Sequence, residues 1–178
     1  MSETTIAFWS MIGTWVAGIG TISAVVTSLW LARKQEKIDL NVIAGHRQIV
    51  TVGSEDTPDY CMIKVTNRGV RPAKITNVGW EYGSLTKKNH LIQLFGFPES
   101  DDIPKVLNEG EDACFLIPFS NSLSEGTWIT TFPKQLTPSG IKSLKVCVYT
   151  SVGQAFKVKV EKGLKEQFLD SLASEKQS

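Results

Sequence analysis

The sequence predicts a mainly β fold behind a single transmembrane helix, and three observations carry that expectation. Residues 6–32 contain no charged side chain, whereas all nineteen Lys and Arg residues follow position 32 and Glu3 is the one acid before it. From residue 38 onward, apolar residues alternate in short runs separated by Gly, Pro and Asn, the pattern of an antiparallel β-sandwich or open barrel. A last apolar rhythm of fours, Leu164, Phe168 and Leu172, marks a short amphipathic C-terminal helix. The expected organisation is a tail over 1–5, a membrane helix over 6–32, a charged connector over 33–37, a β-domain over 38–162, and a helix with tail over 163–178. The residues from 174 onward are expected to fray.

A bilayer core about 30 Å thick needs roughly 20 apolar residues as helix, and the uncharged segment exceeds that. Trp9 and Trp30 stand 21 positions apart, about 32 Å at helical rise, which suits aromatic anchors at the two membrane interfaces. Arg33 and Lys34 mark the exit. A cleaved signal peptide would need a basic leader and an apolar core of only about 7–15 residues. The leader here carries Glu3 and no Lys or Arg, so a permanent anchor is expected. Arg33, Lys34 and Lys37 lie just beyond the helix, and the positive-inside rule then puts the C-terminal domain in the cytoplasm. The expected location is the cell inner membrane, single-pass, with the N-terminus outside.

The membrane helix carries two stripes. Phe8, Ile12, Trp15, Ile19, Ile22, Val26 and Leu29 form a large apolar one. Ser10, Thr14, Ala17, Thr21, Ala24 and Ser28 form a small one on nearly the opposite side, flanked by Gly13 and Gly20. Small residues let helix backbones approach closely in lipid, so this stripe predicts self-association or pairing with another membrane protein. The competing reading is a lone helix whose hydroxyls bond back to their own i−4 carbonyls.

In the β-domain, strands are expected over 38–44 and 48–52 around a turn at Gly45, over 60–66 and 74–82 around Asn67-Arg68-Gly69, and then over 91–95, 113–119 and 128–132. The clearest hairpin joins 143–150 to 155–160 around Gly153. It sets Leu144, Val146 and Val148 with Phe156, Val158 and Val160 on one face and Lys145, Lys157 and Lys159 on the other. The run 91–97 reads as a core strand or as a sticky surface loop. The segment 63–75, with Ile63, Val65, Asn67, Arg68, Gly69, Val70, Arg71, Pro72, Ala73, Lys74 and Ile75, resembles a segment of immunoglobulin-like modules. It is also similar to uncharacterised bacterial membrane-anchored proteins. The resemblance covers one hairpin; it implies an immunoglobulin-like sandwich and a bacterial or phage origin, and no activity.

Chemistry-bearing patterns are sparse. Cys61, Cys114 and Cys147 form no C-x-x-C pair and read as structural thiols. No nucleophile elbow, phosphate loop or zinc-binding His-Glu-x-x-His occurs, so no catalytic residue, metal ligand or cofactor is expected. His46 and His90 read as loop residues beside turns. The acids around 99–102 and 109–112 lack the ligand spacing of a calcium loop and read as solvated. Arg68, Arg71 and Lys74, close together at a turn, are the candidate grip on an acidic partner. The near-neutral charge carries no nucleic-acid footprint and no small-molecule substrate is evident, leaving the bilayer and a protein partner. The expected function is a membrane-anchored binding or scaffold protein. The alternative is a small membrane-perturbing effector, such as a phage-exclusion, abortive-infection or toxin-like protein, whose hydroxyls line a narrow wet seam.

Overall fold

With no charge to solvate and few helix breakers, the N-terminal segment satisfies its backbone within itself as helix α1, Glu3–Gln35. The computed structural model describes residues 3–35, 37–50, 53, 57–84, 87–123 and 126–175. Contacts divide the chain into two units at Lys37/Ile38. Helix α1 begins before residue 6 and takes in Arg33, Lys34 and Gln35, so the expected connector starts inside the helix. None of its apolar span is buried.

The second unit is mainly antiparallel sheet. Strand β1 (Leu40–Gln48) pairs β2 (Asp59–Asn67), and β2 pairs β6 (Asp112–Pro118), giving the order β1-β2-β6. The larger sheet has the order β10-β9-β3-β4, from β10 (Ala155–Lys159), β9 (Lys145–Thr150), β3 (Ala73–Gly83) and β4 (Lys88–Gln93). A short β5 (Lys105–Leu107) joins the start of β3. A two-stranded pair, β7 (Ser122–Leu123) and β8 (Gly126–Thr127), precedes three helices packed with the sheets: α2 (Trp128–Lys134), α3 (Pro138–Ser143) and the C-terminal α4 (Lys162–Glu175).

Both sheets feed one core. Ile63, Val65, Phe115 and Ile117 from the smaller sheet and Ile75, Val78, Trp80, Val146 and Val148 from the larger are essentially inaccessible to solvent. Helix α4 adds Leu164 and Phe168, both fully buried, with Leu172 packed on the margin. Fully burying side chains of this size stabilises by roughly 1.5–3 kcal/mol each, so the amphipathic stripe read from the sequence is what holds the helix in place.

Six expectations are corrected. Residues 128–132 form helix, not strand. Trp128 and Phe132 are four apart, which puts them on one face in either period, and Ile129, Thr130 and Thr131 have the β-rich composition of a strand although they are helical. The Thr130 hydroxyl accepts from the Thr127 N–H at 3.1 Å and starts the helix, and Phe168 packs against both aromatic rings, at 5.7 and 5.5 Å. Gly45 is no turn: β1 runs straight through it, paired with Met62. A side chain there would collide with the Glu161 carboxylate, which Arg47 holds by two hydrogen bonds of 2.7 and 3.0 Å over the bare backbone. The strand expected over 48–52 ends at Gln48, and residues 51 and 52 lie outside the described residues. The expected strand over 91–95 lies earlier, over β4, and 143–144 belong to α3 and its cap. Finally, His46 and His90 are strand residues of β1 and β4.

The 143–160 hairpin keeps its expected faces: Phe156 stands opposite Val148, Val158 opposite Val146, and Lys157 opposite Cys147.

Candidate functional site

On α1 the stripe residues Ser10, Gly13, Thr14, Ala17, Gly20, Thr21, Ala24 and Ser28 are all exposed, as are Trp9, Trp30 and Arg33. Lys34 lies in the helix's last turn. Two hydroxyls of the stripe are satisfied inside the helix: Thr14 donates to the Ser10 carbonyl at 3.0 Å and Thr21 to Ala17 at 2.8 Å. Those donors are therefore not waiting for a partner, and what the stripe offers a neighbouring helix is close approach over Gly13, Ala17, Gly20 and Ala24.

The turn between β2 and β3 is built on Asn67. Its fully buried side chain donates to the carbonyls of Arg71 at 2.9 Å and Leu107 at 3.0 Å, and its Oδ1 accepts from the Gly69 N–H at 3.0 Å. The Asp39 carbonyl takes the Arg68 N–H at 2.8 Å. Arg68 and Arg71 are held exposed in this turn, and Lys74 is exposed on β3 between the buried Ala73 and Ile75.

The acids expected to be solvated are not all so. Asp101 is half-buried beside β6, where Oδ2 accepts the Cys114 N–H at 2.7 Å, the Asp101 N–H donates to the Cys114 carbonyl at 3.0 Å, and Lys105 donates to Oδ1 at 3.0 Å. Burial pushes its pKa up, but these hydrogen bonds more than offset it and hold the carboxyl below its usual range. Ser100 adds a hydroxyl acceptor for the Leu116 N–H at 3.2 Å. Residues 100 and 101 thus cap one outer edge of the smaller sheet. Glu111 likewise closes a turn, accepting from the Asn108 N–H at 2.8 Å.

A polar cluster the sequence did not reveal lies on the outward face of the larger sheet. Glu81 of β3 is 3 % exposed and hydrogen-bonded to Lys157 of β10 across the intervening β9, with Lys88 Nζ at 3.7 Å and His90 Nε2 at 3.8 Å. The Lys157 hydrogen bond lowers the Glu81 pKa, and reciprocally raises that of Lys157. Burial beside Glu81 raises the Cys147 thiol, which keeps it protonated. Lys88, His90 and Lys157 approach this carboxylate and Lys145 pairs it in register, with Lys159 beyond on β10, so the face is rich in basic side chains. His46 is likewise tied down: Nε2 meets Asp59 Oδ1 at 2.6 Å and the ring stacks on Phe119 at 5.1 Å.

At the other side of β4 lies an apolar groove of about 580 Å³. Trp80, Trp128 and Phe132 line it together with the run from Leu91 to Phe97. Trp80 and Phe132 lie 5.0 Å apart, and Trp128 stacks on Phe132 at 5.1 Å. The Trp80 indole donates to Gln93 Oε1 at 3.2 Å. Leu91, Phe95 and Phe97 pack against the core, while Ile92 is 65 % and Leu94 81 % exposed. Both readings of the 91–97 run therefore apply to different residues of it. The signal was the alternation itself; its partner α2 was hidden by the strand-like composition of 128–132. Among the described residues no group of three His, Cys, Asp or Glu gathers as a metal site.

No family model matches the chain, and no curated protein does. Among solved structures, the provisionally named ApaA protein of Bordetella pertussis is 16 % identical, with a TM-score of 0.33 over 70 % of this chain and 89 % of that one. A second structural-genomics protein is 10 % identical, with a TM-score of 0.31 over 71 % of this chain and 84 % of that one. Likeness at that level carries no argument about fold or function. What is defined is a class: an apolar helix of membrane-spanning length followed by antiparallel sheets that share one core.

Proposed function

We propose that the protein is a single-pass inner-membrane binding or scaffold protein that self-associates through α1 and presents its β-domain in the cytoplasm. The observation that carries the reading is α1 itself: an uncharged span with none of its apolar window buried, followed in the chain by a unit that has its own core. In water so much exposed apolar surface is untenable, whereas in a bilayer it is the expected solvent contact. Arg33, Lys34 and Lys37 support the inward direction. The strand orders β1-β2-β6 and β10-β9-β3-β4 support an immunoglobulin-like sandwich, being those of three strands facing the second sheet with an added edge strand, with α2 and α3 filling the connection before β9.

Crosslinking and native mass spectrometry of the full chain in detergent test the self-association. Oligomers are expected, and Gly20→Leu is expected to shift them strongly toward monomer by keeping backbones apart. A strict monomer, unaltered by the substitution, would remove the oligomer from the proposal.

A further inference from the structure

The outer edges of the two sheets are treated unequally. Edge strands expose unpaired N–H and C=O groups, which native proteins cover or blunt. The free edge of β6 is capped by Ser100 and Asp101, through the bonds to Cys114 and Leu116 described above. At the opposite side of the domain the β1 carbonyl of Ala44 takes the Glu161 N–H at 2.9 Å, and the Arg47–Glu161 pair ties β1 to the chain leaving β10. Strand β4 pairs β3 along Lys88–Gln93, and among the described residues nothing pairs its other edge. That open edge borders the apolar groove.

We propose that β4 is a peptide-docking edge: an extended segment of a partner protein adds to it as a further antiparallel or parallel strand, with apolar side chains in the groove and acidic ones on the opposite side. The two faces of β4 dictate that chemistry. Strand alternation sends Lys88, His90 and Ile92 outward and Asn89, Leu91 and Gln93 inward. The inward side chains of an added strand would lie over Trp80, Leu91, Trp128 and Phe132, a site for one aromatic or branched aliphatic residue. Its outward side chains would stand beside Lys88 and His90, within a basic face whose one carboxylate, Glu81, is already held by Lys157. Main-chain hydrogen bonds supply affinity and the alternate side chains supply selectivity, as in other strand-addition complexes. A second copy is the wrong occupant, because β4 carries no carboxylate to set beside Lys88.

The inference rests on the reading of the domain as a binding module, and its test is separable from that of self-association. The full chain in neutral-lipid nanodiscs is titrated with a capped nine-residue peptide alternating Glu with Val and Leu around a central Phe. Binding is followed by peptide fluorescence anisotropy and by hydrogen exchange of the β4 amides. Saturable binding with slowed exchange across β4 is expected. Replacing each Glu by Lys, or N-methylating the strand-pairing amides, should weaken binding at least tenfold. Lys88→Glu should reverse the charge preference, a readout that simple loss of folding cannot produce, and Leu94→Glu should weaken the acidic peptide. Equal binding of both charge forms, or binding without β4 protection, overturns the proposal. So does β4 protection that grows with protein concentration in the absence of peptide, which assigns the edge to a second copy. Failure here with Gly20-dependent oligomers intact removes the docking edge alone and leaves the anchor reading standing.

Discussion

Asn67 shows how one residue organises a segment distant in sequence. Its amide satisfies two carbonyls, a half-buried one in the following turn and a buried one forty positions on in β5, while its own N–H donates to the Glu111 carbonyl at 2.9 Å. Asn67→Ala leaves the buried Leu107 carbonyl without this donor and is expected to destabilise the domain by about 1–3 kcal/mol, read as a lower denaturant midpoint in detergent. A change within a few tenths of a kcal/mol would show that the turn holds itself. The sequence marked Asn67-Arg68-Gly69 as a turn from its composition. It did not reveal that the amide reaches Leu107, because no local pattern records a contact forty residues away. The neighbouring Arg68, Arg71 and Lys74 were legible as exposed for the same compositional reason.

At the scale of elements, the β9–β10 hairpin was legible, whereas the run of β1 through Gly45 and the short helices were not, and β2 and β3 on either side of the Asn67 turn fall in different sheets. β9 and β10 declare themselves by alternation, and the face of each residue follows from parity alone. Parity placed Lys157 on the outer face; only the lateral order β10-β9-β3 brought it over Glu81. This pair links sheet stability to pH. Glu81 has a folded pKa below its unfolded value, so its contribution is present above roughly pH 4.3 and is lost as pH falls through the lower folded value. Lys157 has a raised folded pKa, so its contribution is present below roughly pH 10.4 and is lost as pH rises through that higher value. Glu81→Gln is expected to flatten the acid limb of the unfolding profile. Lys157→Met, which removes the one hydrogen-bonded cation of a buried carboxylate and leaves only the longer contact to Lys88 and the approach of His90, should destabilise at pH 7 and recover part of that loss on acidification. Parallel acid limbs for wild type and Glu81→Gln would show that the pair is energetically silent.

For the whole molecule, the direction of the proposed insertion is the consequence that matters most, since it would decide which compartment the proposed β4 edge samples. Cys61 and Cys147 are fully buried and their thiols are pushed up by burial, whereas Cys114 is free and only part-buried, so the labelling is done in a Cys114→Ser background. Lys159 is exposed and suits a reporter. With the domain in the cytoplasm, Lys159→Cys should react with a membrane-impermeant maleimide only after cells are opened. Labelling in intact cells would invert the topology and, with it, the class of partner that could reach the edge.

The membrane-length helix, the strand-rich domain and the closing amphipathic helix were determined by sequence alone, because each rests on local periodicity or on charge that is absent over a run. The solvent is written into such patterns residue by residue. Helix α2, the role of Asp101, the burial of Glu81 and the open edge of β4 were decided by tertiary structure. Each depends on which strands and helices become neighbours, and neighbours in space are set by the packing of one shared core rather than by any local run.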